Sequence, residues 1–345
     1  MVIPEFEDSR LDDPQSLAEF DAQLRHLAST GARIRVEAAH GLMMAPGTIP
    51  APRGVVVVGA EARLVRAVLE PVCPVPLVAW PLAGLPGWAG PLDMVVVLAS
   101  RAGEHDSAQI GAVVAEASRR GCAVLMAAPP DSSAATAPAG KDGYHVRTQT
   151  GDPTATAVVV LALLHRLGLG PVVNPEHAAE AADMVAEECT PHRDLSVNPA
   201  KDLACGLGDG DPLVWGTSVL AARAGRRFAE AIRFYSGRHG LAADADELVQ
   251  VLRRVPPRDL FADPFTDGEP RRPVLVILDD LSGEAAAIEQ AARLKAWAGR
   301  VGVRVCELVA AEGGDVDRYL TLLLHGLFGA SYLGIGLGAE PGIVG

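Results

Sequence analysis

The sequence predicts an α/β protein with two doubly wound parallel sheets, one after the other along the chain. The 345 residues are enough for about two domains of ordinary size. The expected strands are uniformly apolar rather than alternating, which is typical of parallel sheets that are covered on both faces. The order of apolar strand, glycine turn and helix also occurs twice, from Val55 to Glu61 and from Pro212 to Ser218.

Composition limits the partners that the protein can have. Hydrophobic residues make up 49% of the chain, which is enough for two cores. The formal net charge of −13 argues against nucleic acid or an anionic membrane as the main partner, although a small basic pocket remains possible. The five cysteines have neither C-x-x-C spacing nor a zinc-like arrangement. We therefore expect a reduced, cytoplasmic protein without a metal site or cofactor.

The first fifty residues are expected to form a helical leader that packs on the rest of the chain. Asp13 and Pro14 fit an N-cap and a first helical position, and apolar residues follow at helical spacing. The leader is acidic, which argues against a DNA-binding regulator, and its start lacks the apolar region of a signal peptide. The stretch from Tyr319 to Ala339 is strongly apolar. Because it contains a histidine and five glycines, we interpret it as a buried helix and turn rather than a membrane span.

The first αβ domain is expected over residues 51–172. Its strands are predicted at Gly54–Val58, Pro76–Trp80, Asp93–Leu98, Cys122–Met126 and Tyr144–Arg147. Its helices are predicted at Glu61–Leu69, Ser107–Arg120 and Thr154–Leu167, and glycines follow the last two.

The second domain is expected over residues 173–345 and begins with a mainly helical stretch. Strands are then predicted at Pro212–Trp215, Pro273–Leu278 and Val303–Leu308. Helices are predicted at Gly283–Arg300 and Val316–Tyr332.

Open parallel sheets bind ligands beyond the carboxyl ends of their strands. The chain lacks G-x-G-x-x-G after a strand and also lacks a P-loop, which weighs against dinucleotide and P-loop enzymes. Two strand ends carry hydroxyl groups suited to a phosphate at a helix N-terminus. The candidate ligand-binding residues there are Ser100, Gly103 and Ser107 in the first domain, and Gly216, Thr217 and Ser218 in the second. At the first of these ends, Glu104 and Asp106 would repel a phosphate, and Asp106 or Ser107 would simply cap the helix.

Several segments together resemble the bifunctional phosphoglucose/phosphomannose isomerases, a group of sugar isomerase (SIS) proteins. They are Asn198–Ala204, Pro212–Ser218, Arg226-Arg227 and Tyr332-Leu-Gly-Ile-Gly-Leu-Gly-Ala-Glu-Pro341. The similarity covers residues 10 to 341, and the TobH-like proteins are the most similar subgroup. It implies two tandem SIS domains with flavodoxin-like layers, a sugar phosphate or related anion as ligand, and a homodimer. The apolar helix at Val316–Tyr332 is then a candidate for the buried surface between domains or subunits.

The family's catalytic residues are missing at the matching positions. The phosphate loop Ser-x-Ser-Gly-Asn-Thr is matched only at Ser100 and Gly103. The anchoring Arg is replaced by Thr154, and the base falls at Phe234. The family's ring-opening His has no counterpart in the segment 242–247. The family's late Lys has no counterpart between Pro341 and Gly345. Loss of one proton-transfer group typically costs a factor of about 10² to 10⁴, so the combined losses predict no isomerase activity.

Two functions remain open. The first is a catalytically degenerate protein that binds a carbohydrate derivative (phosphosugar), with a binding or regulatory role in sugar-phosphate metabolism. The second is an active aldose–ketose isomerase of hexose 6-phosphates with a relocated acid and base. Its candidate residues are Glu230, His239 and Glu247. We interpret His325, on the apolar last helix, as a buried histidine that is held by hydrogen bonds.

Overall fold

The computed structural model describes residues 5–43, 51–81, 84–99, 104–136, 143–256 and 271–340. The contacts divide the chain into two compact units, and each of them holds one parallel sheet. One unit comprises Thr30–Glu180, and the other combines Met1–Ser29 with Ala181–Val344. The predicted leader at 1–50 and the domain limits at 51–172 and 173–345 stay predictions.

Three helices open the chain: α1 (Pro14–Glu19), α2 (Asp21–Ala28) and α3 (Thr30–Gly41). As predicted, Asp13 caps α1, and its carboxylate accepts a hydrogen bond from the Ser16 N–H (2.8 Å). Lys201 attaches this N-terminal segment to the second unit. Its buried ammonium group donates to Asp12 Oδ1 (2.6 Å) and to two backbone carbonyls, so the charge is fully paired.

The described residues of the first unit form five parallel strands in the order β2-β1-β3-β4-β5. They are β1 (Val55–Gly59), β2 (Leu77–Ala79), β3 (Met94–Leu98), β4 (Ala123–Ala128) and β5 (Gly143–Arg147). The helices after α3 are α4 (Ala62–Leu69), α5 (Glu104–Arg119), α6 (Ser133–Thr136) and α7 (Pro153–Arg166), and α8 (Pro175–Glu188) continues into the second unit. The strand order reverses between β1 and β3, so the predicted doubly wound sheet is confirmed.

One prediction for this unit is wrong. Helix α5 begins at Glu104, three residues before the predicted start. Asp106 and Ser107 therefore lie inside its first turn and do not cap it. The physical reason is that acidic residues such as those at 104 and 106 are favourable in the first turn of a helix, so the helix extends further toward its N-terminus.

A buried carboxylate fixes α3 to the first sheet. Glu37 is 2% exposed and accepts hydrogen bonds from the N–H groups of Gln149, Thr150 and Gly151 (2.6–3.3 Å). The Thr150 hydroxyl group donates to the same carboxylate (2.6 Å). These donors belong to the turn between β5 and α7, where N–H groups converge on a negative charge.

The second unit contains four parallel strands among its described residues, in the order β7-β6-β8-β9. They are β6 (Gly210–Gly216), β7 (Leu241–Ala242), β8 (Arg272–Asp279) and β9 (Arg304–Val309). Its helices after α8 are α9 (Pro199–Leu207), α10 (Val219–Ser236), α11 (Ala245–Leu252), α12 (Ala285–Val301) and α13 (Asp315–Gly336). The strand order reverses between β6 and β8, as it does between β1 and β3 in the first unit. Strand β7 and helix α11 were not predicted.

Among the described helices, α13 alone is long and apolar enough to cross a membrane. However, 89% of its most apolar 18-residue stretch is buried inside the protein. Close packing explains this burial, since a Cβ on Gly329 would lie 2.5 Å from Leu203 Cδ2 of α9. The predicted buried helix is thus confirmed. Helices α2, α9 and α10 of its own unit pack against it. Its role in a surface between domains or subunits stays a prediction. The homodimer itself stays a prediction.

We predict that Glu37→Gln lowers the free energy of unfolding by about 2–4 kcal/mol, because it removes the charge and turns an amide group toward backbone donors. Chemical denaturation followed by circular dichroism measures this loss. Glu180→Gln is the matched control, since Glu180 is exposed. Equal stabilities of the two variants would show that the buried carboxylate does not anchor α3.

Candidate functional site

The carboxyl ends of β6 and β8 lie side by side where the order of the second sheet reverses. Gly216 pairs with Leu278 across the two strands, and the Thr217 N–H donates to the Leu278 carbonyl (2.9 Å). Thr217 and Asp279 therefore leave the sheet at the same edge. In open parallel sheets this is the position at which ligands bind.

The turn from β6 into α10 requires its glycine. A Cβ on Gly216 would lie 2.2 Å from the Ala222 nitrogen, so only glycine lets the helix start this close to the strand. Ser218 then caps α10 by accepting a hydrogen bond from the Ala221 N–H (3.1 Å). The structure thus brings the predicted ligand residues Gly216, Thr217 and Ser218 together at the carboxyl edge.

The hydroxyl groups of this turn face a carboxylate. The Thr217 hydroxyl donates to Asp280 Oδ1 (3.1 Å) and lies 3.3 Å from Asp279 Oδ1, and the Ser218 hydroxyl donates to Asp280 Oδ2. The Ser282 N–H also donates to Asp280 Oδ1 (3.2 Å). Asp280 is only 5% exposed, and this set of donors suits an ionised carboxylate. A negative charge therefore lies where a phosphate was expected.

A small, solvent-open cleft lies beside this turn. It extends between the ends of β6 and β7 and the first turns of α10. Both Arg226 and Asp244 line it, so an anion inside it would meet one positive and one negative side chain. The lining residues are Val214, Trp215, Gly216, Ala222, Gly225, Arg226, Ala242, Ala243 and Asp244.

The equivalent position in the first unit also holds a buried acid. Glu61 follows β1 and is 3% exposed. Gly59, which precedes it, has a φ of +113°, and a Cβ there would lie 2.0 Å from the Leu98 carbonyl oxygen. Of the ligand residues predicted here, Ser100 and Gly103 lie outside the described residues. Ser107 lies in α5, but its side chain is not described.

Two of the three candidate acid–base residues lie far from the Thr217 turn. Helix α10 runs from the carboxyl end of β6 to the amino end of the parallel strand β7. Glu230 is therefore about 16 Å along the helix from Val219, at 1.5 Å per residue. It pairs with Arg227 (2.9 Å). His239 is exposed and comes two residues before β7, at the opposite edge of the sheet.

Glu247 is the candidate that shares the edge with Thr217. It is the third residue of α11, which starts after the carboxyl end of β7, and its side chain is exposed. His325 is buried, with Nδ1 2.9 Å from the Thr321 carbonyl oxygen and Nε2 3.2 Å from Glu188 Oε2. The interpretation of His325 as a buried, hydrogen-bonded histidine is confirmed.

Sequence reasoning missed Asp279 and Asp280. A signal for them exists, because they directly follow the predicted strand Pro273–Leu278. This signal points to the site only if the strand is known to lie beside Pro212–Trp215. The pairing of two distant segments cannot be predicted from either segment alone.

No protein-family model matches the sequence, and no curated protein matches it. Solved structures do match. A glucose-6-phosphate isomerase like protein from Thermus thermophilus has a TM-score of 0.56 and 16% identity, over 96% of this chain and 95% of that chain. A tagatose-6-phosphate ketose/aldose isomerase from Escherichia coli has a TM-score of 0.58 and 12% identity, over 97% of this chain and 92% of that chain.

A glucosamine-6-phosphate deaminase from Thermotoga maritima has a TM-score of 0.59 and 13% identity, over 95% of this chain and 96% of that chain. At such identities the similarity concerns the fold and not the activity. It agrees with the two parallel sheets and with the fold that the sequence resemblance implied. The chain therefore has the fold of the SIS-domain phosphosugar isomerases.

Proposed function

We propose that this protein binds a carbohydrate derivative, without aldose–ketose isomerase activity, and has a binding or regulatory role in sugar-phosphate metabolism. The observation that carries the proposal is the Asp280 carboxylate, which is buried against the Thr217 and Ser218 hydroxyl groups. Carboxylates and hydroxyl groups both bind the hydroxyl groups of a sugar well, whereas the negative carboxylate disfavours its phosphate.

Electrostatics supports weak binding of sugar phosphates at this edge. Two like unit charges about 4 Å apart repel each other by about 4 kcal/mol at an effective dielectric constant of about 20, before screening by salt. That energy is worth nearly three orders of magnitude in affinity, at about 1.4 kcal/mol for each. A phosphate near Asp280 would meet this repulsion, and Asp279 would add to it.

The arrangement of candidate acids and bases also argues against catalysis. Isomerisation needs a base and an acid that both reach the same sugar. Glu230 lies well down α10 and His239 lies at the opposite edge, so neither reaches a sugar bound at Thr217. Of these candidates, Glu247 alone remains there. The alternative, an active isomerase, therefore depends on Glu247.

We predict no turnover of fructose 6-phosphate to glucose 6-phosphate or mannose 6-phosphate above the rate without protein. Coupled dehydrogenase assays on the purified protein measure both products. Wild type, Glu247→Gln and the control Glu230→Gln should give the same baseline. Clear turnover that Glu247→Gln abolishes and Glu230→Gln retains would establish the active isomerase instead.

We predict that Asp280→Asn raises the affinity for glucose 6-phosphate by at least about tenfold, because it removes a negative charge but keeps an acceptor for Ser218. Calorimetric titration at low ionic strength measures the change. Asp211→Asn removes an equal charge at the amino end of β6 and should change the affinity by less than about twofold.

Unphosphorylated glucose is the matched ligand for this experiment, and Asp280→Asn should change its affinity little. If Asp280→Asn raises the affinity for glucose and for glucose 6-phosphate equally, or raises neither affinity, the carboxylate is not what disfavours the phosphate.

A further inference from the structure

Four exposed apolar side chains lie on the segments that contain or follow the carboxyl ends of β6, β8 and β9. They are Val219, Leu281, Ile288 and Val309, which are 65, 44, 62 and 51% exposed. Val219 follows Ser218, whose hydroxyl group bonds to Asp280, and Leu281 follows Asp280. Val309 pairs with Asp279 across β8 and β9, and Ile288 lies in the first turn of α12. We call these four residues the apolar patch.

Leu281 is held with its side chain outward by an unusual backbone conformation. Its φ of +58° makes it the one non-glycine residue with a positive φ in the part of the chain that the structure describes. The neighbouring aspartates hold the turn: Asp279 accepts from the Leu281 N–H (2.9 Å), and Asp280 accepts from the Ser282 N–H (3.2 Å). This left-handed conformation is strained for a leucine, and a glycine would avoid that strain.

The patch lies within a strongly acidic edge. Four segments meet there because they contain the carboxyl ends of β6, β7, β8 and β9, at 216–222, 242–252, 279–292 and 309–317. None of the four contains Lys, Arg or His. Their acidic residues are Asp244, Asp246, Glu247, Asp279, Asp280, Glu284, Glu289, Glu312, Asp315 and Asp317.

Among the described residues, five arginines lie within two residues of those segments along the chain: Arg223, Arg253, Arg254, Arg293 and Arg318. Arg293 bonds to Asp246, Arg318 pairs with Asp315 (2.6 Å), and Arg226 lines the cleft beside Asp244. Glu247, Glu284 and Glu312 are exposed. The acidic field around the apolar patch is therefore only partly neutralised, and it attracts positive charge.

We infer that the apolar patch, which goes beyond the proposed sugar site, is a docking surface for a basic, amphipathic segment of a partner protein. Apolar side chains of such a segment cover Val219 and Leu281, and its Lys and Arg side chains meet the surrounding carboxylates. A second copy of this chain fits poorly, because two such edges would set carboxylates against carboxylates and the chain carries a net charge of −13.

The test uses two labelled synthetic helical peptides of equal charge, one of Lys and Leu with leucines on one face and one of Lys and Ser. Fluorescence anisotropy gives their affinities for the full chain at low and at moderate salt. The triple variant Glu247→Lys, Glu284→Lys, Glu312→Lys reverses charges around the patch. The control triple variant makes the same change of net charge at exposed sites elsewhere, with Glu19→Lys, Glu180→Lys and Glu187→Lys.

We expect the Lys–Leu peptide to bind wild type at least about tenfold more tightly than it binds the patch triple variant. Its affinity for the control triple variant should be less than about twofold lower than its affinity for wild type. Leu281→Ser should weaken binding of the Lys–Leu peptide several-fold and leave that of the Lys–Ser peptide unchanged. Val172→Ser, at an exposed valine in the other unit, should change neither. Circular dichroism confirms that each variant is folded.

Three results would overturn the inference. If the two triple variants lose equal affinity for the Lys–Leu peptide, only the net charge of the chain matters. Equal binding of the two peptides to wild type would remove the role of the apolar patch. A dimer in light scattering that Leu281→Ser dissociates would show that a second copy covers the patch.

Discussion

The connection between parallel strands is the constraint on which the candidate site depends. Each helix must return the chain from the carboxyl end of one strand to the amino end of the next, so every carboxyl end lies at one edge. This rule brings Thr217 and Asp280 together although they are far apart in sequence. It also carries Glu230 and His239 away from them. Residue types alone suggested an acid–base site, but the connectivity separates those residues.

Two buried carboxylates of this molecule are paired in different ways. Glu37 accepts bonds from a turn of backbone N–H groups, and it belongs to the first unit. Asp280 instead accepts bonds from the hydroxyl groups that would otherwise be free for a ligand. Because an unpaired buried carboxylate costs several kcal/mol, both need their partners. The partners of Asp280 are thus its structural support and also the groups that a ligand must contact.

Much of the fold could be predicted because its strongest signals are local. Valine-rich segments such as β1 and β3 are buried on both faces, and each segment shows this by itself. Strand β7 could not be predicted, since two residues carry no periodicity. In the site, the Gly216 turn was predicted from its own residues. Its acidic partner was not, because Asp280 becomes relevant only through the pairing of β6 with β8.

The two units share the reversal of strand order but differ in the turns at the carboxyl ends of their strands. The first unit has Gly59-Ala60-Glu61 at the end of β1, and the second has Gly216-Thr217-Ser218 at the end of β6. Strand interiors determine stability, because they bury apolar surface, whereas the turns contribute little to the core. Turn residues other than Gly59 and Gly216, where a Cβ would clash, can therefore change without loss of the fold. The acidic residues at the carboxyl edge of the second unit are of this kind, because they determine what the edge attracts and lie outside the strand interiors.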